Sequence, residues 1–282
     1  MSQSCALRAA DWRAVLRLVG ECRDLGDNPR AWRAHLQAQV GRLLGAPLVI
    51  GGEAAFRGTA LTSVEMVEYG WGHGFNRSAL LEGLAGVGAD LLYAPHLGAY
   101  FRRAPARDGT ALTRQDVVPD RDWERSGYYQ SVHRAIGLGH VLVSFAAIDG
   151  SPGELSGVTL ARGADERQDF SPRDRALVGE AHAALAPLVG RALARFRDPS
   201  PGNLPPRAQQ VLRCVLEGDG DKQIAARLGL SRYTVNGYTK TILAHFGATS
   251  RAELAARWVA RGWGRAYRPS GAADEAPSRT AP

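Results

Sequence analysis

Residues 231–240 read SRYTVNGYTK. Taken as a helix over 232–246, the segment turns Val235, Tyr238, Ile242 and Phe246 inward. Arg232, Tyr233, Asn236, Gly237 and Lys240 are left on the opposite face. Those side-chain types suit the edges of base pairs: arginine can make two parallel hydrogen bonds to guanine, and asparagine the same to adenine. Lys240, one turn beyond Asn236, can reach a base or a phosphate. Upstream, Lys222 opens another helical segment, where its ammonium and the first free N–H groups can hold a phosphate. Ser231 suits the cap position of the outward-facing helix. Gly237 costs roughly 1 kcal/mol in a helix interior relative to alanine. Either its missing side chain permits a close approach to nucleic acid, or it is simply tolerated.

Such a face has to be held by other elements, and residues 204–265 divide into four short helices. The first covers about 206–217, with Val211, Leu212, Val215 and Leu216 inward. The second, 222–228, is expected to be capped by Asp221 and to end at Gly229, where a sharp turn needs positive φ. The third is 232–246. The fourth starts at Ser250, where S-R-A-E forms a capping box with Glu253, and runs through Leu254, Trp258 and Val259. The apolar stripe therefore breaks at LGLS because two helices meet at an angle, as in a helix-turn-helix.

Charge is concentrated in the same segment. Residues 204–265 hold ten Lys and Arg against four Asp and Glu, a net of +6, while the whole 282-residue chain carries +7. A basic surplus in one small unit suits a polyanion, although a solvated charged surface would look similar. The stretch DPSPGN at 198–203 has linker composition, which sets off 1–197 as one domain and 204–265 as another, with 266–282 as a disordered tail.

The run LPPRAQQVLRCVLEGDGDKQIAARLGLSRYTVNGYTKTILAHFGATSRAELAARWV resembles the LuxR-type (GerE-type) DNA-binding domain. The landmarks are LPPR…VL…LEG, KQIAARLGLS, TV, ILAHFG and SRAELAA. The resemblance implies a four-helix unit that binds double-stranded promoter DNA as a homodimer. It places the last helix at the subunit contact, hence Leu254, Trp258 and Trp263 near it, although all three would also serve as core within the domain, Leu254 above all. It also makes RNA polymerase an expected partner. Pro205 and Ala208 stand where the family carries a cap, and Gly237 where it carries a polar side chain.

The first 197 residues read as α+β. Helices are expected over 8–25 and 30–44, with stripes Trp12, Val15, Leu16, Val19 and Trp32, Leu36, Val40, Leu43, Leu44. Strands follow over 46–52 and 61–71, then helices over 76–85 and 121–135, with residues 86–120 unassigned. HVLVSFAAID and LSGVTLARG, joined by GSPGE, form an antiparallel hairpin. FSPRD, with Ser171 as cap and Pro172 at the first position, opens a helix of about 25 residues bent at Pro187. The runs SGYYQSVHRAIGLGHVLVSF, SGVTLARG and DFSPRDRALV resemble the sensory half of a GAF-like subgroup of LuxR-type regulators. That implies a GAF/PAS-like antiparallel sheet with flanking helices. Trp123, Tyr128, Tyr129, His133 and His140 are the candidates to contact a small-molecule effector; the same side chains would also pack a helix onto the sheet.

Several functions are excluded or disfavoured. The chain has only two lysines, Lys222 and Lys240, so its N-terminal part lacks the lysine that a phospho-receiver or a P-loop requires. No Ser-His-Asp set, carboxylate pair or metal-ligand spacing stands out, so neither an enzyme nor a cofactor is expected. No apolar run is long enough for a membrane span, and Cys5, Cys22 and Cys214 fit neither a disulfide framework nor a zinc site, which suggests the cytoplasm, and the nucleoid when on DNA. The N-terminal domain could instead be a ligand-free dimerisation platform or, as a third reading, an enzyme.

Overall fold

The computed structural model describes residues 7–58, 60–71, 74–89 and 94–263, which fall into two compact units divided after Ser200. The tail expected at 266–282 and Cys5 lie outside the described residues.

The first unit is built on a five-stranded antiparallel sheet. Helices α1 (Ala9–Asp24) and α2 (Pro29–Leu44) precede strands β1 (Leu48–Arg57) and β2 (Ala60–Tyr69). Then come α3 (Arg77–Ala89), α4 (Pro95–Arg103), β3 (Asp108–Thr113), α5 (Arg114–Val117) and α6 (Asp120–Glu124). A π-helical turn (Tyr129–His133) and α7 (Arg134–Ile136) lead into β4 (Leu138–Ala147), β5 (Glu154–Gly163) and α8 (Pro172–Leu185). The strand order is β2-β1-β5-β4-β3. This is the α+β class expected from the sequence.

Alternation along the strands makes two cores. Val49, Leu142, Val158 and Leu160 face α1, α2 and α8 and pack with Val15, Leu18, Trp32, Leu177 and Leu185. Leu48, Val141, Val143 and Ala161 face the other way and pack with Phe75 and Tyr100. Strand β4 therefore buries successive residues Val141 to Ser144, as its continuous apolar run predicts.

The structure differs from the sequence expectation in several places. Trp12 and Leu16 are exposed, while Asp11, Val15, Leu18 and Cys22 form the buried stripe of α1; Leu43 of α2 is also exposed. Asp11 is buried because Arg173 of α8 pairs with it, so a carboxylate occupies the inward position and the apolar Trp12 does not. Strand β3 was hidden in the unassigned stretch. The helix expected over 121–135 breaks into α6, the π turn and α7. The long helix ends at Leu185: Ala186–Leu188 form a 3-10 turn containing Pro187, and the chain then folds back. There Ala194 N donates to Gly26 O at 2.6 Å, and Trp32 Nε1 donates to Ala194 O at 3.0 Å. Gly26 permits this docking, because a Cβ there would lie 2.0 Å from Ala192 O.

A buried polar network joins the sheet to α8. Ser144 Oγ donates to Gly109 O at 2.5 Å and accepts from His182 Nδ1 at 2.7 Å; His182 Nε2 then accepts from Ser156 Oγ at 3.1 Å. Every hydroxyl and ring nitrogen in it is engaged, so the Ser-His-Ser set is structural.

The second unit holds α9 (Pro206–Leu216), α10 (Asp221–Leu228), α11 (Arg232–His245) and α12 (Arg251–Ala260), four helices in the expected places. Cys22 and Cys214 are buried and unpaired. Among the described residues no helix is long and apolar enough to cross a membrane.

Candidate nucleic-acid interface and ligand cavity

The turn between α10 and α11 is made by local chemistry. Gly229 takes φ +63°, and the N–H groups of Gly229 and Leu230 both donate to Ala225 O. Arg207 of α9 donates to Leu228 O at 2.6 Å, satisfying another carbonyl at the end of α10. Ser231 Oγ accepts from Thr234 N at 3.0 Å and so starts α11. The cap of α10 is Gly220 rather than Asp221. Gln223 Oε1 accepts from Gly220 N at 2.7 Å, and Asp221, in the first turn, pairs with Arg251 instead. Ile224, Val235 and Ile242 are fully buried between the helices with Val211 and Leu212.

With that phase, Lys222, Ser231, Arg232, Tyr233, Asn236, Gly237 and Lys240 are all exposed, Tyr233 at 90 %. Their electrostatic setting separates them from three other arginines of the unit. Arg227 pairs with Glu217 and Asp219, Arg251 with Asp221, and Arg257 with Glu253. Lys222, Arg232 and Lys240 have no carboxylate partner among the described residues. A Cβ at Gly237 would meet no atom within 4 Å, so nothing inside the domain requires glycine there.

Leu254 and Trp258, expected at a subunit contact, are instead buried inside the domain. Trp258 stacks edge-on with Phe246 and Trp263, and its Nε1 donates to Trp263 O at 3.1 Å. A bulky indole covered on both sides by its own chain has no surface left to offer. Val259, 72 % exposed, is the large apolar residue that α12 presents outward.

The N-terminal unit contains a cavity of about 160 Å³ on the face of the sheet opposite α1 and α2. Its walls include Ile50, Val141, Val143 and Phe145 from the strands and Leu97 from α4. Its polar groups include His96, Tyr128 and His133. Of the residues expected from the sequence, Tyr128 and His133 line this cavity. His96, which lines it too, was not among them; its signal was Pro95 at a helix start followed by His96, Ala99 and Tyr100 on one face. Trp123 is buried behind the histidines, edge-on to His96 at 5.2 Å and to His133 at 4.9 Å. Tyr129 packs against Trp123 and His133. His140 does not join them: its Nε2 contacts Glu166 O at 3.1 Å, and its Nδ1 lies 3.7 Å from Asp169. Its position on β4 aims it at the loop after β5.

Burial pushes the His133 imidazole down to about 3 and that of His96 to about 4, with the Arg114 guanidinium acting in the same direction. Both rings are therefore neutral near pH 7. Both nitrogens of His133 and Nδ1 of His96 are buried without a hydrogen-bond partner. Such atoms cost about 1–3 kcal/mol each when left unpaired. The π turn that ends at His133 is a feature found disproportionately at functional sites. Among the described residues no group of three His, Cys, Asp or Glu side chains could hold a metal ion.

Comparison with known proteins gives one family. "Bacterial regulatory proteins, luxR family" matches residues 202–258. No curated protein sequence matches the chain. Among solved structures, the chain is similar to SdiA in complex with octanoyl-rac-glycerol, at 15 % identity over 90 % of this chain and 94 % of that one, with a TM-score of 0.38. It is also similar to Escherichia coli SdiA, at 16 % identity over 91 % and 98 %, TM-score 0.36. A third likeness, to the VqsR LBD domain from Pseudomonas aeruginosa, has 16 % identity over 63 % and 98 %, TM-score 0.41. Resemblance that distant leaves the functional argument to the chain's own residues. The family match falls on the very stretch in which the Gly229 turn sets two helices at an angle, so this chain carries a domain of the luxR family of bacterial regulatory proteins.

Proposed function

We propose that the chain is a transcription regulator that binds promoter DNA as a homodimer through α11. The observation that carries this reading is that Lys222, Arg232 and Lys240 are exposed cations without carboxylate partners among the described residues, and that Asn236, between the last two on α11, is exposed as well. Arg232 and Asn236 read base edges, Lys240 reaches a base or phosphate, and Lys222 with the start of α10 holds a phosphate. Dimerisation would use the exposed side of α12 around Val259 rather than Leu254 and Trp258. RNA polymerase is the partner that promoter binding implies, and the cytoplasm is where the chain would act, on the nucleoid when bound. The luxR family is regulatory, and this reading assigns no catalysis to the chain.

The N-terminal unit, 1–197, would bind an effector in the cavity beside His96 and His133, with 198–203 as the linker to the DNA-binding unit. Selection of bound sites from random duplexes by the full chain tests the DNA reading: enrichment of a two-fold symmetric site is expected, and retention of every sequence alike would refute it. A thermal-shift screen against metabolites tests the effector, because a ligand specific for the folded state raises the melting temperature.

A second reading makes the N-terminal unit a ligand-free dimerisation platform. It is favoured by the exposed Trp12, Leu16 and Leu43 on α1 and α2. Dissociation of the full-length oligomer by Leu16→Glu, with no ligand found in the screen, would support it.

A further inference from the structure

The unpaired imidazoles carry chemical information about what the cavity holds. A neutral imidazole presents one N–H donor and one bare nitrogen acceptor. His133 offers both with no partner, and His96 adds an unpaired Nδ1. The two nitrogens of one imidazole point apart, so a single ligand group set between His133 and His96 meets one nitrogen of each and must donate to the bare nitrogen of one ring while accepting from the N–H of the other. A hydroxyl does so. A carbonyl only accepts, and an ammonium only donates.

Charge argues the same way. A buried ionic head needs a counter-ion or a set of hydrogen bonds. The Arg114 guanidinium, whose charge is felt by both imidazoles, is already held by Asp120 and Val118 O. Glu53, whose strand lines the cavity, spends its carboxylate on Arg33 and Arg195 on the opposite face of the sheet. Among the described residues neither an anion nor a cation finds a free partner.

Size and shape limit the body of the ligand. A cavity of about 160 Å³ compares with the roughly 150 Å³ apolar cavity known to hold benzene. Ile50, Val141, Val143 and Phe145 make the wall apolar, and Trp123, edge-on to both imidazoles, fixes their planes.

We propose that the cavity binds an uncharged, single-ring molecule bearing a hydroxyl group, of the phenol class, with its hydroxyl bonded to His133 and His96 and its ring against the apolar wall. This rests on the reading of the cavity as the effector site.

The test is titration of the full chain with phenol, benzene and benzoate, followed by calorimetry and thermal shift. Phenol is expected to bind at least about tenfold more tightly than benzene, because benzene leaves the imidazoles unpaired. Benzoate is expected to bind most weakly. His133→Leu and His96→Leu are expected to melt no lower than the parent chain without ligand, since each removes unpaired buried nitrogens, and to bind phenol no better than benzene. Equal binding of phenol and benzene, an unchanged phenol preference in His133→Leu, or tightest binding of benzoate would each overturn hydroxyl recognition. Binding of another compound class at this cavity, with phenol inert, overturns the phenol assignment and leaves the effector reading standing. Failure of every compound in a broad metabolite screen overturns both.

Discussion

Arg195 and Glu53 lie 142 residues apart, and Arg195 Nε donates to Glu53 Oε2 at 2.9 Å in the interior of the N-terminal unit. The other carboxylate oxygen of Glu53 accepts from Arg33 and, at 3.2 Å, from Phe196 N. Arg195 reaches on to Glu154 and to Ser151 Oγ. One carboxylate on β1 thus clamps the segment that follows α8. The same strand turns Ile50 to the cavity on its other face, so the cavity wall and the clamp share a backbone.

Glu53→Gln should therefore destabilise the N-terminal unit strongly. Arg33 is 2 % exposed and would lose its counter-charge. Removing one member of a buried pair costs about 3–5 kcal/mol, mostly through the charge left behind. Urea unfolding of the full chain, followed by a signal from this unit, should show a loss in that range. A loss under about 1 kcal/mol would mean that water already reaches the guanidinium.

On DNA, Lys240→Ala should weaken binding to all sequences alike and lower the slope of log affinity against log salt by about one unit, as loss of one phosphate contact does. Asn236→Ala should cost about 1–3 kcal/mol on the preferred site and little on random duplex. Fluorescence anisotropy over a salt series distinguishes the two; an unchanged slope for Lys240→Ala, or equal loss on every sequence for Asn236→Ala, contradicts the assignments.

Stability should fall on acidification because His96, His133 and His182 are held neutral by burial. Their folded pKa values, pushed down to about 4, about 3 and about 4, lie below the ordinary value of 6.5. The unfolded chain takes up protons first, so stability is complete above that value and is lost as pH drops through the window below it. Between about pH 7 and pH 5 each imidazole contributes a loss of about 2 kcal/mol. His133→Leu should show a correspondingly shallower decline in denaturant midpoint over this range; a slope equal to that of the parent chain would contradict the burial argument.

Asp27 should act in the opposite direction. In the α1–α2 connection it is 9 % exposed, and burial pushes its carboxyl up to about 6. A folded value above the unfolded one means that stability is highest in acid and falls as pH rises toward that value. Asp27→Asn should then stabilise the chain by about 2–3 kcal/mol at neutral pH and by almost nothing near pH 4. Melting curves at the two pH values check the sign as well as the size.

The outward face of α11 was legible because its signals are local. Gly229, Ser231 and Ser250 announce a turn and two caps, and a 3.6-residue period then assigns Val235 inward and Asn236 outward whatever else the chain does. The antiparallel hairpin of β4 and β5 and the start of α8 at Ser171 were legible for the same reason.

Non-local contacts decided the rest. Asp11 rather than Trp12 faces inward on α1 because Arg173, 162 residues away, arrives to pair with it. Trp258 is a core residue because Phe246 and Trp263 close over it. His96 and His133 come from a helix and a π turn separated by a strand, and no spacing in the chain joins them. The amino-acid sequence by itself determined the helix-turn-helix and its outward face, since caps, glycines and periodicity act within a few residues. The tertiary structure alone decided which charges are neutralised and which imidazoles share a cavity, because burial and pairing depend on what the rest of the chain brings alongside.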